Sequence, residues 1–552
     1  MSKNKLQKLE LTWIGKGDEP KLEPRILIEN PEYSYGDPTT ENILIHGDNL
    51  LALKALEQDF AGKVKCIYID PPYNTGNAFE HYDDGVEHSL WLSLMRDRIK
   101  SLRNLLSKEG TIWINLDDNE AHYCKVMCDE IFGRENFVST VIWHKKHTRS
   151  NDAKWLSDNH DFILCYAKSK NDWNRNLLPR DGEAKGYSNI DNDPRGVWAS
   201  GPCHAKTPSD ATYFEVTTPS GRKVLPPPGT SWRFNKVRFQ ELVDDNRIYF
   251  GTDGNNIPRY KRFLTDVQDG LVPLTIWFKD EVGDNQEAKK EVKVFNTDDV
   301  FSTPKPERLI ERIIHIASKD GDIVLDSFLG SGTTVAVAHK MNRRFIGIEL
   351  GEHSKTHCYP RLKAVVDGEQ GGISKAVNWQ GGGGFKFYTL APSLLKQDKF
   401  GNWVISQEYN PDMLAAAMAK QEGFTYLPNE DKFWKQGNSS ENDYIFTTTQ
   451  FITVETLDSI HDDMQDGESI LICCKAFQKQ CKSKYPNITL KKIPQMLLDR
   501  CEFGKDDYSL NIVNLPTEEA NNEEALIDEV NIESVQEIRD NKEVDNQGTL
   551  FE

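Results

Sequence analysis

The chain has no apolar run near the roughly 18 residues that a membrane helix requires. Its first residues, Met1-Ser2-Lys3-Asn4-Lys5, are polar, so neither a membrane span nor a secretory leader is expected. Cysteine is sparse, at ten in 552 residues. Cys124 and Cys128 are four apart and Cys473 and Cys474 are adjacent, but no C-x-x-C pair occurs. That excludes a zinc framework and a disulfide scaffold, leaves no metal site to expect, and points to reduced thiols in a cytoplasm. The phosphate-cradling pattern G-x-x-x-x-G-K-[ST] is absent. G-x-G-x-x-G is not met either, because Gly330-Ser331-Gly332 has no third glycine three residues on. No internal repeat and no nuclease-like carboxylate cluster stands out, so this chain alone is not expected to cut DNA. Positive charge is also short, with 67 Lys and Arg against 86 Asp and Glu, net −19. Taken alone this argues against a nucleic-acid partner, yet the charge is uneven. Residues 516–552 hold twelve acids and two bases, a local −10, whereas residues 144–263 hold twenty bases and fourteen acids, a local +6. An acidic chain with a basic middle is compatible with a localised DNA surface.

What is present is an alternation of strands and helices. Ile43–Asp48 reads as a strand and turn, Asn49–Gln58 as a helix, and Val64–Ile69 as a buried strand. His88–Leu106 is amphipathic, with Leu90, Leu94, Ile99, Leu102 and Leu106 on one side and Gly110 beyond its end. Thr111–Leu116 is another strand, Asn119–Phe132 another helix, and 138–143 and 161–167 are further strands. Near residue 145 the pattern breaks into an irregular stretch rich in turn formers, with Trp155, Trp173, Trp198, Trp232 and Tyr260 interleaved among bases. It resumes at about 301 with the helix 307–318, strand 322–325, helix 332–341 and strand 344–348, the last ending at Glu349. The expectation is an α/β fold whose mainly parallel sheet is assembled from two separated segments.

Two strand ends carry chemistry. Cys66-Ile67-Tyr68-Ile69 stops in Asp70-Pro71-Pro72-Tyr73. Proline fixes φ and lacks an N–H, so this loop is rigid. The Asp70 carboxylate and the Pro71 carbonyl are two acceptors suited to the two N–H bonds of an exocyclic amine, and Tyr73 offers a flat face to a base. A bare turn after a strand is the plain alternative. Ile323-Val324-Leu325 stops in Asp326-Ser327-Phe328-Leu329-Gly330-Ser331-Gly332-Thr333-Thr334. A glycine-rich turn after a parallel strand lets a ligand approach the backbone, with Ser331, Thr333 and Thr334 as hydroxyl donors at the next helix start. Glu349, about twenty residues on, suits a ribose diol.

Together the DPPY and FxGSGTT loops resemble the catalytic and cofactor motifs of amino-methylating DNA methyltransferases. Their order, catalytic loop first, resembles the β class. The longer run Asp70–Gly76, DPPYNTG, with Trp91, Met95 and Arg96 following, is similar to the modification subunits of type III restriction–modification systems. The resemblance implies a Rossmann-like S-adenosylmethionine-dependent sheet, with the catalytic set Asp70, Pro71, Pro72 and Tyr73. It implies a cofactor set of Asp48, Lys305, Asp326, Phe328, Gly330, Ser331, Gly332, Thr333, Thr334 and Glu349, in which Lys305 pairs with the cofactor carboxylate and Asp48 lies near its adenine. Asp rather than Ser at the first loop position tilts the target to the N6 amine of an adenine extruded from the duplex, with N4 of cytosine as the alternative. The resemblance further implies double-stranded DNA as substrate, a homodimer and a separate restriction subunit, with a solitary methyltransferase as the other possibility.

The expected organisation is an N-terminal arm (1–40), a catalytic half (41–145), a target-recognition domain (146–298), a cofactor half (299–380), a C-terminal domain (381–515) and an acidic, disordered tail (516–552). Lys145, Lys146, Arg149, Arg233, Lys261 and Arg262 are the candidate DNA contacts, since cations hold phosphates and arginine reads base edges.

Overall fold

The computed structural model describes residues 10–73, 84–149, 153–180, 186–207, 209–266, 270–297, 300–498, 500–506 and 508; the side chains of 84–87 are not described. Asn74–Gly76 of the catalytic motif and the 516–552 tail lie outside the described residues.

An 11-stranded mixed sheet organises the chain. Its principal strands are β1 (Leu27–Glu29), β2 (Ile43–His46), β3 (Val64–Ile69), β4 (Leu106–Leu116), β5 (Phe137–His144), β6 (His160–Ala167), β7 (Ile276–Trp277), β8 (Ile323–Asp326), β9 (Arg344–Glu349) and β10 (Gly384–Leu390). They lie in the order β1-β10-β2-β9-β8-β3-β4-β6-β5-β7. The central run from β10 to β4 is parallel throughout. Strands covered on both faces need continuous apolar sequence, and β8 (Ile-Val-Leu-Asp) is buried at every position. β3 and β8, more than 250 residues apart in sequence, are direct neighbours, with Cys66 opposite Val324 and Ile67 opposite Leu325. The sheet expected from two separated segments is therefore what forms.

The helices α1 (Asn49–Phe60), α2 (Asp84–Leu105), α3 (Ala121–Phe132), α4 (Glu307–Ala317), α5 (Thr333–Lys340) and α6 (Tyr359–Val366) connect the strands. In α2 the buried stripe is Trp91, Met95, Ile99 and Leu102. Leu90, expected on that stripe, is exposed, because it lies one residue, about 100°, off it. α2 ends at Leu105 and β4 begins at once, so Gly110 sits inside a strand rather than marking a helix stop.

The chain divides into two compact units, residues 1–175 with 275–552, and Asn176–Leu274. The second is narrower than the expected 146–298, since 160–167 and 276–277 are strands of the main sheet. It holds a three-stranded sheet and a small core around Trp232, Phe239, Leu242 and Phe250. The N-terminal arm is not free either: Glu23 and Arg25 are buried, and β1 pairs with β10. β10, placed by sequence in the C-terminal domain, completes the main sheet beside β2. Beyond it a five-stranded sheet forms from strands between Thr425 and Lys492, and Gln58 of α1 donates to the Phe424 carbonyl at 3.0 Å. All ten cysteines are free thiols. Among the described residues no helix is long and apolar enough to cross a membrane.

Candidate active site

Parallel strands deliver their C-terminal ends to one edge of the sheet, and both motif loops leave from that edge. β3 ends in Asp70, and β8 beside it ends in Asp326. The indole of Trp91, fully buried in α2, donates to the Pro72 carbonyl at 2.7 Å and pins the loop. The Asp70 carboxylate is held on both oxygens. Lys305 reaches Oδ2 through its ammonium, and the Tyr73 hydroxyl lies 2.9 Å from Oδ1. Tyr73 also lies 3.2 Å from Asp161 Oδ2 and accepts from the Asn115 amide. Asn115 reaches Asp70 at 3.3 Å and Asp161 at 3.4 Å, while its own buried Oδ1 has no partner. Lys145 closes the network with a 2.6 Å ion pair to Asp161. Burial, with Asp70 and Asp161 adding to it, holds the Tyr73 phenol protonated well above its ordinary range.

Lys305, expected on the cofactor carboxylate, thus sits on Asp70, with the rings of Tyr73 and Trp143 at 5.5 and 6.0 Å. Its position ties the segment after residue 300 to the catalytic loop.

The second loop is built around two glycines with positive φ, Gly330 at 54° and Gly332 at 77°. A Cβ on Gly330 would fall 2.8 Å from the Phe301 ring, so a side chain there would strike an aromatic wall. Asp326 accepts from the Phe328 N–H at 2.9 Å and the Thr334 hydroxyl at 2.6 Å. Burial nevertheless pushes its carboxyl up to about 7, with Asp70 contributing. Glu349, at the end of the next strand, accepts the Gly330 N–H at 2.7 Å and the Gly351 N–H at 3.1 Å, and burial raises it too. Ser331 and Thr333 hydroxyls lie 3.1 Å apart, and Arg361 donates to Thr333 at 2.8 Å. The Ser327 hydroxyl is buried without a partner. Tight glycines, an aromatic wall, unspent hydroxyl capacity and a carboxylate on the neighbouring strand fit a ligand with a charged amino-acid end and a ribose.

The Asp48 carboxylate, expected near the cofactor adenine, is engaged within the protein. It caps α1 by accepting the Leu51 N–H at 3.0 Å, pairs with Arg98 at 3.2 Å and accepts the Tyr508 N–H at 3.0 Å, with no side-chain exposure. Lys261 is a correction: it is fully buried, pinned between Asp191 and Asp193, and presents nothing to a phosphate. Lys145 is spent on Asp161, while Lys146, Arg149, Arg233 and Arg262 are exposed. Reading the sequence missed Asn115 and Asp161. A signal for Asn115 was available, a lone amide inside the apolar run Thr111–Leu116.

Two acceptors at one strand end and a glycine-rich loop at the next thus stand side by side on one sheet edge. The chain belongs to the family described as DNA methylase (N6_N4_Mtase), whose model matches residues 64–359 and so takes in both loops. It is 34% identical over 431 residues to the probable type III restriction-modification enzyme HindVI Mod subunit of Haemophilus influenzae, covering 66% of this chain and 56% of that one. Over 355 residues it is 34% identical to the StyLTI Mod subunit of Salmonella typhimurium, covering 58% and 52%. Over 475 residues it is 27% identical to the EcoP15I Mod subunit of Escherichia coli, covering 70% and 72%. The chain spans little more than half the length of the first two of these relatives.

Proposed function

We propose that the chain transfers a methyl group from S-adenosylmethionine to the exocyclic N6 of an adenine in double-stranded DNA, as the modification component of a restriction–modification system. The observation that carries this is the adjacency of Asp70 and the Gly330 loop at one sheet edge. When bound, the cofactor supplies a methyl carbon on a positively charged sulfur. The protein's own part is to position. An adenine amine is a poor nucleophile because its lone pair is delocalised into the ring. Asp70 and the Pro71 carbonyl accept its two N–H bonds, which favours a pyramidal nitrogen and frees the lone pair for in-line attack. That lone pair would take the methyl carbon, the cofactor leaving as the neutral thioether, and Asp70 or water would take the proton the nitrogen then loses. Only one amine N–H goes to Asp70, so the amine has to displace at most one of the two groups held there, Lys305 or the Tyr73 hydroxyl. Release of Lys305 leaves it free for the cofactor carboxylate, and the Tyr73 ring can stack on the base.

Single-molecule sequencing of DNA from cells expressing the chain tests this and yields the recognition sequence. Expected is N6-methyladenine within a fixed short motif; N4-methylcytosine would replace the adenine reading with its alternative. Methylation confined to one strand would favour kinship with the type III Mod relatives, and co-purification with a larger nuclease-bearing subunit would identify the restriction partner.

A further inference from the structure

The connection between β5 and β6 is a hairpin that leaves the sheet at its catalytic edge. β6 runs antiparallel to β4, so its first residues stand beside the end of β4, with Phe162 opposite Leu116. The hairpin closes through the Lys145 and Lys146 N–H groups, which donate to the Asn159 carbonyl at 3.0 and 3.4 Å. Its base is joined to the catalytic loop itself, since Asp161 pairs with Lys145 and lies 3.2 Å from the Tyr73 hydroxyl. Beyond that base stand two adjacent large apolar side chains in open solvent, Trp155 at 83% and Leu156 at 85% exposure. The Lys154 ammonium rests 5.3 Å from the Trp155 ring, and Lys146, His147 and Arg149 are exposed on the same loop. Single exposed apolar residues need no explanation. An adjacent Trp–Leu pair on a cationic loop, six residues from an active-site carboxylate and so within roughly 20 Å of it along the chain, does.

We propose that Trp155 and Leu156 form a wedge that enters the DNA base stack at the target site and fills the space left by the extruded nucleotide, while Lys146, Arg149 and Lys154 hold the flanking phosphates. This rests on the methyltransferase reading above. The chemistry matches on both counts. Extruding a base breaks stacking and pairing, and an inserted apolar side chain offsets that loss. The neighbouring cations fit the polyanionic backbone on either side of the gap.

The test compares two duplexes carrying the motif found by sequencing. One is fully paired; in the other the target adenine faces an abasic site, so little pairing has to be broken. For the variant carrying Trp155→Ala and Leu156→Ala, single-turnover methylation should fall at least tenfold on the paired duplex and stay within about threefold of wild type on the abasic one. Trp155→Phe should retain at least half the rate on both. In wild type, 2-aminopurine at the target should brighten on binding, and in the double variant it should not. Both residues are exposed, so melting temperature and cofactor binding should be unchanged. Equal rates for variant and wild type on the paired duplex would overturn the wedge, as would an equal loss on both duplexes. A wild-type chain inert on all DNA would overturn the methyltransferase reading, and the wedge with it.

Discussion

Asp70 is held by a cation on one oxygen and a phenol on the other, and in the proposed reaction one amine N–H takes the place of at most one of them. Asp70→Ala removes the acceptor that frees the nitrogen lone pair, so methylation should fall by at least about 100-fold, the lower bound for a positioned proton acceptor. DNA affinity, measured by fluorescence anisotropy, should stay within about twofold, because Asp70 carries no positive charge toward phosphate. Lys261 gives the opposite test. Its ammonium is sealed against Asp191 and Asp193, so Lys261→Met leaves Asp191 without its cation and Asp193 with Arg195 alone, and should destabilise the 176–274 unit by about 3 kcal/mol, read by chemical denaturation. The salt dependence of DNA binding by the folded variant should not change. These residues also mark how far sequence reading carries. Asp70 and Gly330 were legible because loop rigidity and positive φ leave a local signature. Asn115 left only a lone amide in an apolar run, and Asp161 left no signal, because it joins the site through a β4–β6 pairing that no local pattern encodes. Lys261 was misread because a basic residue in a basic stretch looks exposed until its strand partners are known.

At the scale of elements, the site depends on β3 and β8 lying side by side and on α2 holding the loop between them and the substrate. Trp91 is the fastening point, through its 2.7 Å bond to the Pro72 carbonyl. Trp91→Phe keeps most of the buried volume and removes that donor. Leaving the carbonyl unpaired should lower the methylation rate roughly tenfold, about the 1.4 kcal/mol expected of one hydrogen bond, with the cofactor dissociation constant nearly unchanged. The end of β8 predicts a pH effect. Burial raises the Asp326 carboxyl to about 7, above its unfolded value, so the folded state binds this proton more tightly than the unfolded chain does. Its contribution to stability is fully present below about pH 4 and is lost as pH rises through about 7. Asp326→Asn, which stays neutral and can still accept from Thr334, should flatten that decline. The melting temperature of the variant should therefore gain on wild type between pH 5 and 8. Most elements of this sheet were readable in the sequence, since buried parallel strands are short apolar runs and amphipathic helices repeat every 3.6 residues. Their boundaries were less so. The glycine expected to stop α2 lies within β4, and the edge strand β7 and the internal strand β10 were assigned to neighbouring domains because strands of two to seven residues carry little periodicity.

For the whole molecule, charge is the property that neither residue nor element explains. A net −19 repels DNA at long range, whereas the exposed bases Lys146, Arg149, Arg233 and Arg262 attract it locally. Residues 516–552 supply −10 of that total. A chain ending at residue 515 would therefore keep every described element and carry −9 by sequence. Repulsion between exposed charges is screened over about 8–10 Å at 0.10–0.15 M salt and over about 3 Å at 1 M. Truncation should accordingly raise the association rate with duplex DNA several-fold at 50 mM salt, as measured by stopped-flow, and make no difference near 1 M. The methylation rate at saturating DNA should not move, because the described partners of Asp70 and of the Gly330 loop all precede residue 516. A rate increase that persisted at high salt would mean the tail acts by occupying the DNA surface rather than through its field, and the number of phosphates contacted, read from the salt slope, would then rise on its removal.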